Sequence, residues 1–173
     1  MESIKKLREL TGAGVMDCKR ALEKASGNFD KALEELRKRG HEIAEKKSGR
    51  ATHQGLVESY IHTGGKIGVL VEINCETDFV ARCDDFKRLA RDLAMQIAAA
   101  RPAFIRREEI PSEILKEKQG DHLEDYCKEN CLLEQPFIKD QTLTIRDLLT
   151  QVVAKVGENI VVRRFIRFQL GES

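Results

Sequence analysis

The chain has 173 residues, 41% apolar and 34% charged, and its 30 basic and 29 acidic side chains leave a formal net charge of +1. That length allows one ordinary domain, or a small domain beside a larger one, with enough apolar material for a real core. The balanced charge argues against a general nucleic-acid binder, and no uninterrupted apolar run approaches the ~18 residues of a membrane span.

The start, "MESIKKLREL", has no apolar signal core after its lysines, which points to the cytoplasm. The first forty residues read as three short helices. "ESIKKLREL" sets Ile4, Leu7 and Leu10 at helical spacing, and "TGAG" breaks the pattern. "VMDCKRALEKA" repeats it through Val15, Cys18, Leu22 and Ala25. Gly27 ends that helix, and Asn28 caps the next, which carries Phe29, Leu33 and Leu36 on one face and stops at Gly40. Residues 41–54, "HEIAEKKSGRATHQ", read as a linker, in part helical at its start.

The period then changes. "GLVESYIHTGGKIGVLVEINC" gives two β-rich runs around Gly64-Gly65, a hairpin signal. Ile67, Val69, Val71, Ile73 and Cys75 share one face of the second strand, and Gly68, Leu70, Glu72 and Asn74 share the other. From Asp78 to about Ala100 the period is helical, with Phe86, Leu89, Leu93 and Ile97 on the apolar face and Pro102 closing it. Phe79 stays undecided. It lies seven residues before Phe86, so an unbroken helix turns it to the core. Asp84 offers a second helix start, which leaves "TDFVAR" as a projecting corner.

Residues 103–120 are mixed and broken by Pro111, "DHLEDYCKENCLL" is helical, and "EQPFIKDQT" reads as a loop. "TIRDLLTQVVAKVG" is a helix between a Thr144 cap and a Gly157 stop, and "ENIVVRRFIRFQL" is a closing strand. The fold class is α+β: a three-helix domain at 1–40, a linker at 41–54, and a core at 55–173 built on a three-stranded antiparallel sheet with packed helices.

The five cysteines, an odd count, read as free thiols. Cys127 and Cys131, four apart, have only His122 as a further nearby ligand, so buried thiols are preferred to a metal site. No phosphate-loop or dinucleotide motif is present, and the four histidines are scattered away from any local nucleophile signature. Arg163, Arg164 and Arg167 interleave with Phe165 and Phe168, a pattern that can stack bases. A half-buried strand rimmed by arginine stems explains it equally well.

Together the motifs resemble a known family. "LRELTGAGVMDCKRALEKASGNFDKALEELRKRG" at 7–40 resembles the ubiquitin-associated-like N-terminal domain of bacterial elongation factor Ts. "NCETDFVAR" at 74–82, "LLEQPF" at 132–137 and "VGENIVVRRFIRF" at 156–168 resemble its core motifs, in order along nearly the whole chain. The resemblance implies a translation elongation factor in protein biosynthesis: a guanine-nucleotide exchange factor whose partner is the GTPase elongation factor Tu, with no bond-making chemistry and no cofactor. It implies that Thr77, Asp78, Phe79 and Val80 meet the partner near its magnesium and phosphate site, and that Lys19 is a further contact. Residues 103–131 are short for the family. A single core unit implies a homodimer, with Leu70 and Phe165 or Phe168 on the uncovered sheet face. No direct nucleic-acid contact, membrane or metal is implied.

Overall fold

The computed structural model describes residues 2–118 and 120–172. In chain order its helices and strands are α1 (Glu2–Thr11), α2 (Val15–Lys24), α3 (Phe29–Lys47), β1 (Gln54–Ile61), β2 (Ile67–Cys75), α4 (Asp78–Arg82), α5 (Asp84–Ala100), α6 (Ser112–Glu117), α7 (Asp121–Asn130), β3 (Pro136–Phe137), β4 (Asp140–Thr144), α8 (Ile145–Val156) and β5 (Ile160–Gln169). No helix among the described residues is long and apolar enough to cross a membrane.

Helices α1 to α3 bury Leu7, Cys18, Ala21, Ala32 and Leu36 against one another, with Phe29 and Leu33 at the margin. Asn28 caps α3, its side-chain oxygen accepting from Lys31 N at 3.0 Å. The expected stop at Gly40 is not there. Helix α3 runs on to Lys47, so the first half of the expected linker is helix. Tertiary packing explains the difference. Gly40 lies against α8, where an added Cβ would sit 3.8 Å from Thr150 Cγ2. Helix α3 packs along α8, and glycine inside a helix costs only ~1 kcal/mol.

The sheet is antiparallel in the order β1-β2-β5, which puts β2 at the centre. The inner face of β2, Val69, Val71, Ile73 and Cys75, is buried under Phe86, Leu89, Leu93 and Ile97 of α5 and joined by Ile160 and Val162 of β5. Gly55 makes a close approach to β2 that only glycine allows, since a Cβ there would lie 2.1 Å from the Ile73 carbonyl oxygen. Register slips between Glu72, paired with Arg164, and Ile73, paired with Val162, so Arg163 is the extra residue of a bulge in β5. Beyond it Phe165 pairs with Val71 and packs on the core side. Phe165 is therefore not on the uncovered face. That face carries Val57, Ile61, Leu70, Ile166 and Phe168, all exposed.

"EQPFIKDQT" is not a plain loop. Its β3 and β4 form a small antiparallel hairpin. The organiser is Gln96, buried in α5 and invisible to local pattern. Its amide donates to the Pro136 carbonyl at 3.1 Å and to Gln135 Oε1 at 3.2 Å, and it accepts from Ile138 N at 2.9 Å. Helix α8 follows with a full capping box between Thr144 and Asp147 and ends at Gly157, whose φ of +77° suits glycine. The segment before β3 packs its own cluster, in which Cys127 and Cys131 are buried with Ile110.

Candidate functional site

The corner between β2 and α5 carries the motif "TDFVAR". The helical period from Asp78 is interrupted at Cys83, whose extended backbone (φ −72°, ψ 152°) ends α4 and precedes α5. Asp84 and Asp85 then fill the first turn of α5, where negative charge meets the helix dipole. Because the period breaks there, Phe79 and Phe86 do not share a face. Phe86 is fully buried and Phe79 is 77% exposed.

Each residue of the corner has a distinct task. Thr77 caps α4, its Oγ1 accepting from Val80 N at 3.4 Å. Val80 is half-buried and packs on the core, and Ala81 is buried beside it. These two anchor the short helix. Asp78 and Phe79 point to solvent. Arg82 joins them: its Nη2 donates to Asp78 Oδ2, and its guanidinium carbon lies 5.7 Å from the Phe79 ring centroid. The ring is thereby braced while its outer side stays bare. Lys19 lies elsewhere, on α2, exposed and 3.8 Å from Glu23.

Behind the corner, the turn at 157–159 holds the two residues that lead into α4. Glu158 Oε2 accepts from Thr77 N at 3.0 Å, and Oε1 accepts from the Thr77 hydroxyl at 2.6 Å. Asn159 N donates to Glu76 Oε1 at 2.7 Å, while its amide donates to the carbonyls of Ser48 and Arg50 at 3.1 and 2.8 Å. Sequence reasoning missed both Arg82 and Glu158. The i, i+4 spacing of Asp78 and Arg82 is a readable signal for the first. Glu158 lies 81 residues from Thr77, beyond any local pattern.

The remaining chemistry is structural in placement. All five cysteines are free. Burial pushes the Cys75 thiol up to about 11, with the Glu158 carboxylate adding to it. Burial pushes Cys131 to about 12, helped by Cys127. Among the described residues no three His, Cys, Asp or Glu side chains are grouped to hold a metal ion. A cleft of about 450 Å³ opens between α3 and α8, with His41 Nε2 and Asp147 Oδ1 3.4 Å apart at its wall. Asp147 also closes the capping box of α8, so this pair ties one helix to the other.

The family model described as elongation factor TS matches residues 5–121 and 119–172, two stretches that meet inside the segment expected to be short. The protein named elongation factor Ts from Carboxydothermus hydrogenoformans is 54% identical over 193 aligned positions, covering 99% of this chain and 89% of that one. Its namesakes from Heliobacterium modesticaldum and Methylacidiphilum infernorum are each 53% identical, over 98% of this chain and 89% and 94% of theirs. With matches on that scale from end to end, the chain belongs to the elongation factor Ts family.

Proposed function

We propose that this protein is a cytoplasmic guanine-nucleotide exchange factor of translation elongation, and that it acts on elongation factor Tu. The observation that carries the reading is Phe79, a bare aromatic on a braced corner within the family's motif. A large ring held in place with 77% of its surface exposed has that surface to bury when a partner covers it. Asp78 and Phe79 are the wedge, Thr77 and Val80 its base, and Lys19 on α2 a second point of contact. Helices α1–α3 serve as the partner-binding domain and the elements from β1 onward as the core, with residues 48–53 between them.

The mechanism needs no bond-making step. A GTPase holds GDP through backbone amides and a magnesium ion that demands near-ideal octahedral geometry. An aromatic wedge that shifts elements beside the ion costs GDP most of that affinity, and one well-packed side chain contributes ~2–4 kcal/mol at an interface. Coupling is reciprocal: the factor weakens GDP by the same factor that GDP weakens it. GTP then rebinds and displaces the factor.

The uncovered sheet face supports a homodimer as part of the reading. Leu70 and Phe168 stand beside Val57, Ile61 and Ile166, an apolar patch on a strand face with both sheet edges open. The test of the exchange reading is direct. Elongation factor Tu is loaded with fluorescent GDP and mixed with this protein in the presence of excess GTP. Release many times faster than the spontaneous rate is expected, and release at the spontaneous rate overturns the proposal.

A further inference from the structure

Thr77 is held on every polar atom. Its N–H and its hydroxyl both donate to the Glu158 carboxylate. Its carbonyl accepts from Ala81 N at 3.2 Å and from Cys75 Sγ at 3.2 Å. Its Oγ1 accepts from Val80 N. The order of these bonds matters. A threonine hydroxyl has one proton and rotates to suit its surroundings. With that proton committed to Glu158 at 2.6 Å, the oxygen lone pairs are left facing the first turn of α4. A charge-assisted acceptor also strengthens the bonds that the same hydroxyl accepts. The carboxylate thus sets the cap, and the cap sets the direction in which a five-residue helix leaves the sheet.

We infer that Glu158 is a positioning residue for the Phe79 corner, acting through Thr77. The inference rests on the exchange reading for its consequence but not for its geometry. A helix of five residues cannot hold its own orientation, because the nucleation cost of helix is met only over ~12 residues or more. Its buried roots, Val80 and Ala81, fix its position; the Thr77 clamp fixes its swing. The neighbouring bond from Asn159 N to Glu76 Oε1 repeats the arrangement one residue earlier. Two successive residues of the 157–159 turn therefore grip two successive residues of the motif, 76 and 77. Through Asn159 the same turn also grips the carbonyls of Ser48 and Arg50, just beyond α3.

The chain has no tryptophan, so Phe79→Trp supplies a single reporter on the corner. In that background, time-resolved anisotropy of the free protein is compared with and without Glu158→Ala. A larger fast component in the Glu158→Ala protein is expected, with Glu158→Gln, which keeps only one of the two acceptor oxygens, falling between Glu158→Ala and the parent. An unchanged decay overturns the inference, whatever the parent protein does to GDP. In the native Phe79 background, Glu158→Ala should lower the maximal GDP release rate at saturating protein by roughly tenfold, as small misplacements of a working group do. The half-saturating concentration should shift less. Thr77→Val, which removes the hydroxyl bond and the cap but leaves the N–H at 77, should slow release in the same direction, and the Glu158→Ala, Thr77→Val double variant should lose less than the two single losses combined, since both act through the Thr77 clamp. Additive losses overturn the route through Thr77. Should the parent protein release no GDP, the exchange reading falls and the anisotropy alone decides the inference.

Discussion

The guanidinium of Arg82 lies over the ring of Phe79 and donates to Asp78, so one cation holds both residues of the proposed wedge from within α4. An exposed cation–π contact contributes ~0.5–1 kcal/mol, and an exposed ion pair between side chains 67% and 52% accessible about as little. Arg82→Met keeps the apolar stem and removes the charge. Unfolding in urea should show a loss of no more than ~1 kcal/mol, while GDP release slows about two- to fivefold, the effect of ~0.5–1 kcal/mol. A large loss of stability would place Arg82 in the fold instead of the wedge.

Phe79 and Phe86 offer a sharper contrast, seven residues apart with opposite burial. Phe86→Ala should lose about 3–5 kcal/mol in urea unfolding, the usual cost of emptying a core aromatic site. Phe79→Ala should lose less than ~0.5 kcal/mol, the range of ordinary surface changes. Its GDP release should fall by roughly thirtyfold or more, the effect of losing an anchor of ~2 kcal/mol. Equal destabilisation by the two would end the projecting-corner reading.

The amide of Gln96 is a third point of test. Gln96→Leu preserves shape and leaves Ile138 N and the Pro136 carbonyl without their partner. A stranded buried group costs ~1–3 kcal/mol. The urea midpoint should drop accordingly, and amide exchange at Ile138 should accelerate more than exchange in β2. Uniform acceleration would show that the β3–β4 hairpin does not depend on this bond.

The uncovered sheet face predicts an oligomeric state. Sedimentation of the parent protein should give a dimer, and Ile166→Lys with Phe168→Ser should give a monomer of unchanged far-ultraviolet circular dichroism. Both positions are exposed in the single chain, so folding is spared. A parent protein that sediments as a monomer at micromolar concentration removes the dimer.

The buried thiols predict an alkaline limit. Cys75 and Cys131 are raised to about 11 and about 12 by burial, and Cys18 is raised for the same first cause. In the unfolded chain they ionise near ~8.5. The native state therefore binds more protons between those values, and stability falls as pH rises through them. The urea midpoint should be flat from about pH 6 to 8 and decline above about pH 9. Cys83, half-exposed, should react with a thiol reagent in the native protein, and the buried four only after urea is added. Stability rising above pH 9 would contradict the burial of these groups.

Local pattern carried much of this structure. Alternation picked the buried face of β2, and Thr144 and Gly157 bounded α8 as capping chemistry requires. What failed were the features decided by contacts far along the chain. Gly40 looked like a stop because propensity is local, whereas the packing of α3 on α8 is not. The β3–β4 hairpin depends on Gln96, about forty residues earlier. Phe165 moved to the core side because a bulge, which no alternation announces, shifted the register of β5. At the corner, periodicity left Phe79 open, and the break at Cys83 resolved it. That cysteine is not a residue from which a helix boundary is read.

The continuity of α3 has a consequence for how this chain can vary. A helix of 19 residues is a strut ~28 Å long, with 100° of rotation per residue. Cys18 and Leu36 on the α1–α3 side and Asn159 beyond its far end are thus keyed to each other in angle as well as span. One residue inserted after Glu42 would turn the front of the molecule by about 100° about the strut and advance it by only about 1.5 Å. Seven inserted residues would restore the angle to within about 20° while lengthening the span by about 10 Å. A partner gripped at both ends would read such changes as a wrong phase before it read them as a wrong length.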